Sequence, residues 1–244
     1  MHAQVDQGEL RDEELYMRRI FIGDIHGCYK QLIALLKKVR LDRGNDTLIF
    51  LGDYIDRGPD SAGVLLLLKE LKEQMGERCH LLLGNHEERS FANAESDYEE
   101  HTLRSFQERN IDLFAIDDVF AWLRENGEFI YHSDDVLAVH AGLEPFMVKE
   151  GYDDARLRFW PDVVLHDREN IRYGLYNEKP LICGHTPHMV PMWSHDGIIE
   201  PVSSGPLPDH GMIDIDTYCF GSGRLTALVL ENGQMRFIST GGDN

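Results

Sequence analysis

Short apolar runs alternate along this chain with longer segments whose apolar residues recur at helical spacing. Residues 18–22 read as a strand of β-branched and aromatic residues, and residues 29–39 then place Leu32, Leu35, Leu36 and Val39 on one helical face. Residues 47–51 predict a second strand. Asp60 or Ser61 caps a helix running through Leu65, Leu68 and Leu71 to about Met75, and residues 79–83 predict a third strand. Strands alternating with helices in this way predict an α/β sheet with helical cover. The stretch 95–127 reads as helical and acidic, with an amphipathic end at Leu113, Ile116, Val119, Phe120 and Leu123. Residues 129–133 and 136–141 predict a hairpin turning at Asp134 and Asp135. A less regular stretch to about residue 176 precedes strands near 180–183, 212–218 and 225–230. Asn232-Gly233 then turns a final hairpin, so the sheet is predicted to be mixed.

Composition narrows the function. The 244 residues carry 24 Lys plus Arg against 43 Asp plus Glu, a formal net charge of −19. Such a field opposes non-specific binding to nucleic acid or an anionic membrane. Phosphorylated substrates remain open if metals or a few arginines reverse the sign locally. Cys28, Cys79, Cys183 and Cys219 form no Cys-x-x-Cys pair, which predicts reduced thiols rather than a disulfide framework or zinc ribbon. Residues 1–17 are polar and lack the apolar core of a signal peptide, and no stretch has the length of a membrane span. The expectation is a cytoplasmic protein with a flexible extension over 1–17 and one domain over 18–244.

One pattern recurs five times: an apolar run followed at once by a residue able to bind a metal. The instances are Ile20-Phe21-Ile22-Gly23-Asp24-Ile25-His26, the run before Gly52-Asp53, the run before Gly84-Asn85, the run before His140, and the run before Gly184-His185. In α/β sheets ligands gather beyond the carboxyl ends of the strands, so these residues are placed to converge. Singly, an Asp or Asn here is more often a turn former or helix cap, and a lone His a structural hydrogen-bonder. Five at equivalent places point to a metal site. The set lacks thiolates, which excludes iron–sulfur and structural zinc sites, and it holds too much imidazole for calcium or a magnesium-only site. Mixed oxygen and imidazole donors suit Mn²⁺, Fe or Zn²⁺, and two ions about 3.5–4 Å apart are the arrangement used in phosphate-ester hydrolysis.

Three neighbours add to this. Asp56 and Arg57 follow Asp53 within Gly52-Asp53-Tyr54-Ile55-Asp56-Arg57-Gly58, and Arg57 offers a planar fork for phosphate oxygens. Their structural alternative is a mutual surface ion pair of little worth. His86 directly follows Asn85.

Gly23-Asp24-Ile25-His26-Gly27, Gly52 to Gly58, Gly84-Asn85-His86-Glu87, His140-Ala141-Gly142 and Gly184-His185 resemble, in order, the signature of the phosphoprotein phosphatase (PPP) family of metallophosphoesterases. Ile213 to Thr217 and Gly223 to Leu228 resemble the closing strands of its bacterial members. The resemblance implies a calcineurin-like metallophosphoesterase fold, a mixed β-sandwich flanked by helices, with two metal ions at its rim. It implies that Asp24, His26 and His185 hold one ion, Asn85 and His140 the other, and that Asp53 bridges them. His86 would be the general acid, held by Asp56, and Arg57 would bind phosphate. A metal-bound water or hydroxide would attack phosphorus directly, without a phosphoenzyme. The residues six places after each cysteine are Ala34, Asn85, Met189 and Leu225, so the Cys-x5-Arg loop of cysteine phosphatases is absent, as is any Gly-Lys pair of a Walker loop.

The chain departs from the family at two places. Leu83 stands where many protein phosphatases have arginine, and the later phosphate-binding arginine falls to Arg156 or Arg158, with Arg158 preferred. The eukaryotic Ser-Ala-Pro-Asn-Tyr motif is absent, so the type is bacterial. Residues 27–36 also resemble the symmetrical diadenosine tetraphosphate hydrolases, which typically have Ala in place of Asp56 and Asp in place of Glu87. Both positions favour a serine/threonine protein phosphatase acting on a phosphoprotein or small phosphoester. The alternative is hydrolysis of diadenosine tetraphosphate or another nucleotide, and a remote one is a non-catalytic metal-binding module. His80, His132, His166, His188, His195 and His210 match no family motif and are expected to be structural, and the acidic residues 95–100 a solvated face.

Overall fold

A computed structural model describes residues 18–92, 99–169, 171 and 179–241, so the extension expected over 1–17 lies outside the described residues. Strands β1 (Arg19–Ile22), β2 (Thr47–Phe50), β3 (Cys79–Leu82) and β4 (Gly127–Glu128) run parallel, each paired with the one before. The second sheet holds β5 (Tyr131–His132), β6 (Leu137–Ala138), β7 (Leu181–Cys183), β8 (Met192–His195), β9 (Ile198–Pro201) and β11 (Met212–Asp214), ordered β5-β6-β7-β11-β8-β9. Its β6, β7 and β11 are parallel. β10 (Gly205–Pro206), β12 (Thr226–Glu231) and β13 (Gln234–Ser239) complete the first sheet by antiparallel pairing beside β1, in the order β10-β13-β12-β1-β2-β3-β4.

Period-two side-chain alternation explains why the strands read as unbroken apolar runs. Phe21, Ile49, Leu82 and Leu228 of the first sheet share one core with Ala138, Ile182 and Ile213 of the second. Their neighbours Ile20, Ile22, Leu48, Phe50 and Leu81 face the opposite way, into the helices. Both faces are buried, as in other helix-covered parallel sheets. The cover includes α1 (Tyr29–Val39), α2 (Ser61–Met75), α3 (Asn85–Ala92), α4 (Glu100–Glu108) and α5 (Leu113–Asn126). Short helices α6 (Pro145–Lys149), α7 (Asp154–Leu157), α8 (Pro161–Val164) and α9 (Cys219–Ser222) sit in the connections.

α1 and α2 match their expected spans, and Asp60 caps α2 by accepting from the Gly63 amide at 2.8 Å. The expected continuous helix over 95–127 is instead divided. Asn110 adopts φ 55° after α4, and Asp112 caps α5 through the Ala115 amide at 2.9 Å. The strand expected over 212–218 stops at Asp214, whose Oδ1 accepts from the Asp216 amide at 2.8 Å and turns the chain out of the sheet. The β8–β9 hairpin was not anticipated, although Asp196-Gly197 at its tip, both at positive φ, is a favoured two-residue turn. No helix among the described residues is long and apolar enough to cross a membrane.

Candidate metal centre

The parallel strands of both sheets end at one rim. β1 delivers Asp24 and His26, β2 delivers Asp53, β3 delivers Asn85 and His86, β6 leads to His140, and β7 leads to His185. All but Asn85 are almost wholly buried. Close approach requires glycine here: a Cβ on Gly84 would lie 2.2 Å from Asp53 Oδ1, and one on Gly184 2.1 Å from Asp24 Oδ1. His26, Asp53, Asp56, Arg57 and His185 all adopt positive φ, between 46° and 69°. Five non-glycine residues in this sparsely populated region at one rim mark backbone held in place by its surroundings.

Hydrogen bonds fix which nitrogens face inward. His26 Nδ1 lies 2.9 Å from the Ile55 carbonyl and His140 Nδ1 2.7 Å from that of Leu51, so each Nδ1–H donates and each Nε2 is left with a lone pair. His26 Nε2 faces Asp53 Oδ2 at 3.3 Å, and His140 Nε2 faces Asp53 Oδ1 at 3.6 Å, Asn85 Oδ1 at 3.1 Å and His185 Nδ1 at 3.1 Å. The His140 Nε2 lone pair and the Asp53 carboxylate, both acceptors, repel unless a cation lies between them. Titration agrees. Burial lowers His26 to about 4 and His185 to about 2, and lowers His140 as well, which keeps these imidazoles neutral. Burial works against an ionised Asp53, but the surrounding histidines outweigh it and hold its carboxyl below the usual range. Neutral imidazoles around an ionised carboxylate fit divalent cations. Asp24 accepts from the His185 amide at 3.1 Å, with its pKa pushed up by burial, Asp216 and Asp53.

Beside this cluster, His86 Nδ1 lies 2.7 Å from Asp56 Oδ2, leaving Nε2 4.0 Å from Asp53 Oδ2. Burial lowers the pKa of His86, but the Asp56 hydrogen bond and the Asp53 charge outweigh it, and the net shift is upward. Asp56 also accepts from Thr102 Oγ1 at 2.7 Å and Arg89 Nη2 at 2.8 Å. Arg57 donates to His26 Nε2 at 3.0 Å and lies over the Phe220 ring, 4.9 Å from its centroid.

All nine candidate residues from the sequence therefore gather at this rim. Arg158 does not: it pairs with Asp154 at 3.0 Å and lies over Phe129, while Arg156 turns to Glu150 and Tyr152. On the His185 side of the site the arginine is instead Arg168, which donates to Thr186 Oγ1 at 3.2 Å and whose charge helps depress His185. His166, which matches no family motif and is expected to be structural, has its ring 6.2 Å from that of His185. Glu99 is no mere solvated acid, since it pairs with Arg89 at 3.0 Å and accepts from the Arg57 amide at 3.3 Å. Buried Asp214 ends β11 and buried Asp216 lies two residues beyond it; they carry the same strand-end signal as the other five sites, which could have revealed them.

Comparison with known proteins follows the same outline. The profile of the calcineurin-like phosphoesterases matches residues 17–234. A symmetrical bis(5'-nucleosyl)-tetraphosphatase of Nitrosospira multiformis is 28% identical over 261 residues, covering 86% of this chain and 92% of the relative. That of Buchnera aphidicola is 35% identical over 131 residues, covering 53% of this chain and 45% of the relative. The match spans about half the length of the Buchnera protein and of several others of that name. The crystal structure of a protein provisionally named a diadenosine tetraphosphatase superposes with a TM-score of 0.58 at 26% identity, covering 94% of this chain and 96% of the other.

Proposed function

From the premise that this chain belongs to the calcineurin-like phosphoesterase family, and is a metal-dependent phosphoesterase, we propose that it hydrolyses a dinucleoside tetraphosphate. The observation that carries this reading is the similarity, along 86% of the chain, to a symmetrical bis(5'-nucleosyl)-tetraphosphatase. His26, Asp53, Asn85, His140 and His185, with Asp24, would hold two divalent ions, Mn²⁺ before Fe or Zn²⁺. Bound there, the ions supply positive charge against phosphoryl oxygens and acidify water. Arg57, exposed at the rim and backed by Phe220, grips a phosphate group. His86 presents Nε2 to the leaving oxygen, and Asp56 orients its ring.

A second reading, hydrolysis of phosphoserine or phosphothreonine in proteins, is favoured by the 2.7 Å contact between His86 and Asp56. A nucleoside diphosphate leaves as a stable anion, whereas a serine alkoxide must be protonated as it departs, which is the task of a general acid. Purified protein with Mn²⁺ should be given diadenosine tetraphosphate beside phosphoserine, phosphothreonine and phosphotyrosine peptides. The first reading expects the dinucleotide to be cut with the highest kcat/KM. Turnover of phosphopeptides with the dinucleotide left intact would overturn it in favour of the second.

A further inference from the structure

A second group of metal-ligating side chains lies at the tip of the β8–β9 hairpin, on residues that none of the family motifs contain. His195, Asp196 and His210 each offer one ligand atom, and these atoms lie within 4.8 Å of one another. His195 ends β8, Asp196 opens the turn at φ 48°, and His210 comes from the segment 207–211 that leads into β11. The carboxylate oxygen stands 3.7 Å from His195 Nδ1 and 3.4 Å from His210 Nε2. The first distance exceeds a hydrogen bond and the second is at its long limit. Tetrahedral zinc with bonds of about 2.0–2.1 Å to nitrogen and oxygen sets its ligand atoms about 3.3–3.4 Å apart, so the gap has the width of a metal rather than of a proton.

The outward nitrogens carry the stronger argument. His195 Nε2 lies 3.3 Å from Glu200 Oε1, and His210 Nδ1 lies 2.6 Å from Asp209 Oδ1. Each ring thus has a carboxylate on its far side and turns its other nitrogen toward Asp196. A carboxylate behind each imidazole is the arrangement that orients metal-bound histidine and raises its basicity. The rings are also held. His195 stacks on Trp193 with centroids 3.6 Å apart and planes 20° from parallel, and Trp193 Nε1 donates to the His210 carbonyl at 3.2 Å. The pleat accounts for Glu200: it pairs across the hairpin with Trp193, and Trp193 and His195 share one face of β8.

We propose that His195, Asp196 and His210 form a zinc site, separate from the phosphoesterase centre, that clamps the β8–β9 hairpin to the segment 207–211. Three protein ligands leave a fourth position to water, and Glu200 and Asp209 hold the two imidazoles. The proposal is independent of which phosphate compound the enzyme cleaves.

The test uses the full chain, stripped with chelator and titrated with Zn²⁺ alone, with metal content measured after gel filtration. Wild type should retain one more zinc per chain than His195→Ala/His210→Ala, and zinc should raise the melting temperature of wild type more than that of the double variant. Glu200→Gln and Asp209→Asn should each weaken this site about 10-fold without removing it. Should the double variant not fold, Asp196→Asn, altered only in the exposed turn, should show the same loss of one ion. Equal zinc content and equal affinity in wild type and in the folded variant would overturn the site.

Discussion

At the residue scale, function divides between atoms that face a cation and atoms that face a proton. In the proposed reaction His86 is the residue that moves a proton, since Asp56 holds its ring and raises its pKa above the ordinary imidazole value. His86→Asn should slow phosphoserine hydrolysis by about 10²-fold or more, the usual worth of a general acid. It should slow nitrophenyl phosphate and dinucleoside tetraphosphate far less, since those leaving groups depart as stable anions. Metal content should stay at the wild-type level, whereas Asp53→Asn should lose metal, because a neutral amide bridges two cations poorly. Equal slowing of all three substrates, or loss of metal from His86→Asn, would remove the acid role. A general acid works while protonated, so alkyl phosphate hydrolysis should fall as pH rises through the raised pKa of His86. Asp56→Asn removes the hydrogen-bonded anion and should bring that fall to lower pH, which a pH–rate profile measures.

At the element scale, two buried links hold the strand ends in place. Glu87, in the first turn of α3, accepts from the amides of Gly84 at 2.9 Å, Asp53 at 2.9 Å and Tyr54 at 2.8 Å. It thereby joins the loop after β3 to the loop after β2. Glu87→Ala leaves three buried donors unpaired and should cost about 3 kcal/mol while loosening Asp53. Calorimetry and metal content should fall together. The second link ties β1 to the turn between β5 and β6, where Arg19 meets Asp135 through two contacts of 2.5 and 2.6 Å. Arg19 is only 5% exposed, so Asp135→Ala strands a buried cation and should cost about 3 kcal/mol. Burial opposes ionisation of Asp135, but the Arg19 hydrogen bond outweighs it and the pKa is lowered. A lowered carboxylate contributes stability above its unfolded pKa and loses it as pH falls through the folded value. The gap between wild type and Asp135→Ala in urea melts should therefore be full at pH 7 and shrink below about pH 4.

At the scale of the whole molecule, the site exists only where two sheets bring their carboxyl edges together. Metal-depleted protein should lose hydrolysis and regain it with Mn²⁺ but not Ca²⁺, which disfavours imidazole-rich sites. Full activity in chelator would show that the rim needs no metal. A chain beginning at Met17 should melt within a few degrees of the full chain and hydrolyse at the same rate, because residues 1–16 lack a strand pattern and the family match begins at residue 17. A large drop in melting temperature on that truncation would show that the segment docks.

The sequence alone determined the chemistry of the donors and the elements that carry them. Donor type is a property of single residues, and a strand ending in Gly-Asp or Gly-His is local information. α1 and α2 were legible for the same reason, since apolar spacing and the Asp60 cap act within a few residues. Only the tertiary structure decided which lone pair each histidine turns inward, because that depends on the carbonyls of Ile55 and Leu51, contributed by other strands' loops. It likewise placed Arg168 rather than Arg158 near His185, and set Glu99 against Arg89. Spacing along the chain carries no such information. Partners far apart in sequence meet because each sheet must bury its inner apolar face against the other, and that packing, more than any one residue, fixes where the strand ends arrive.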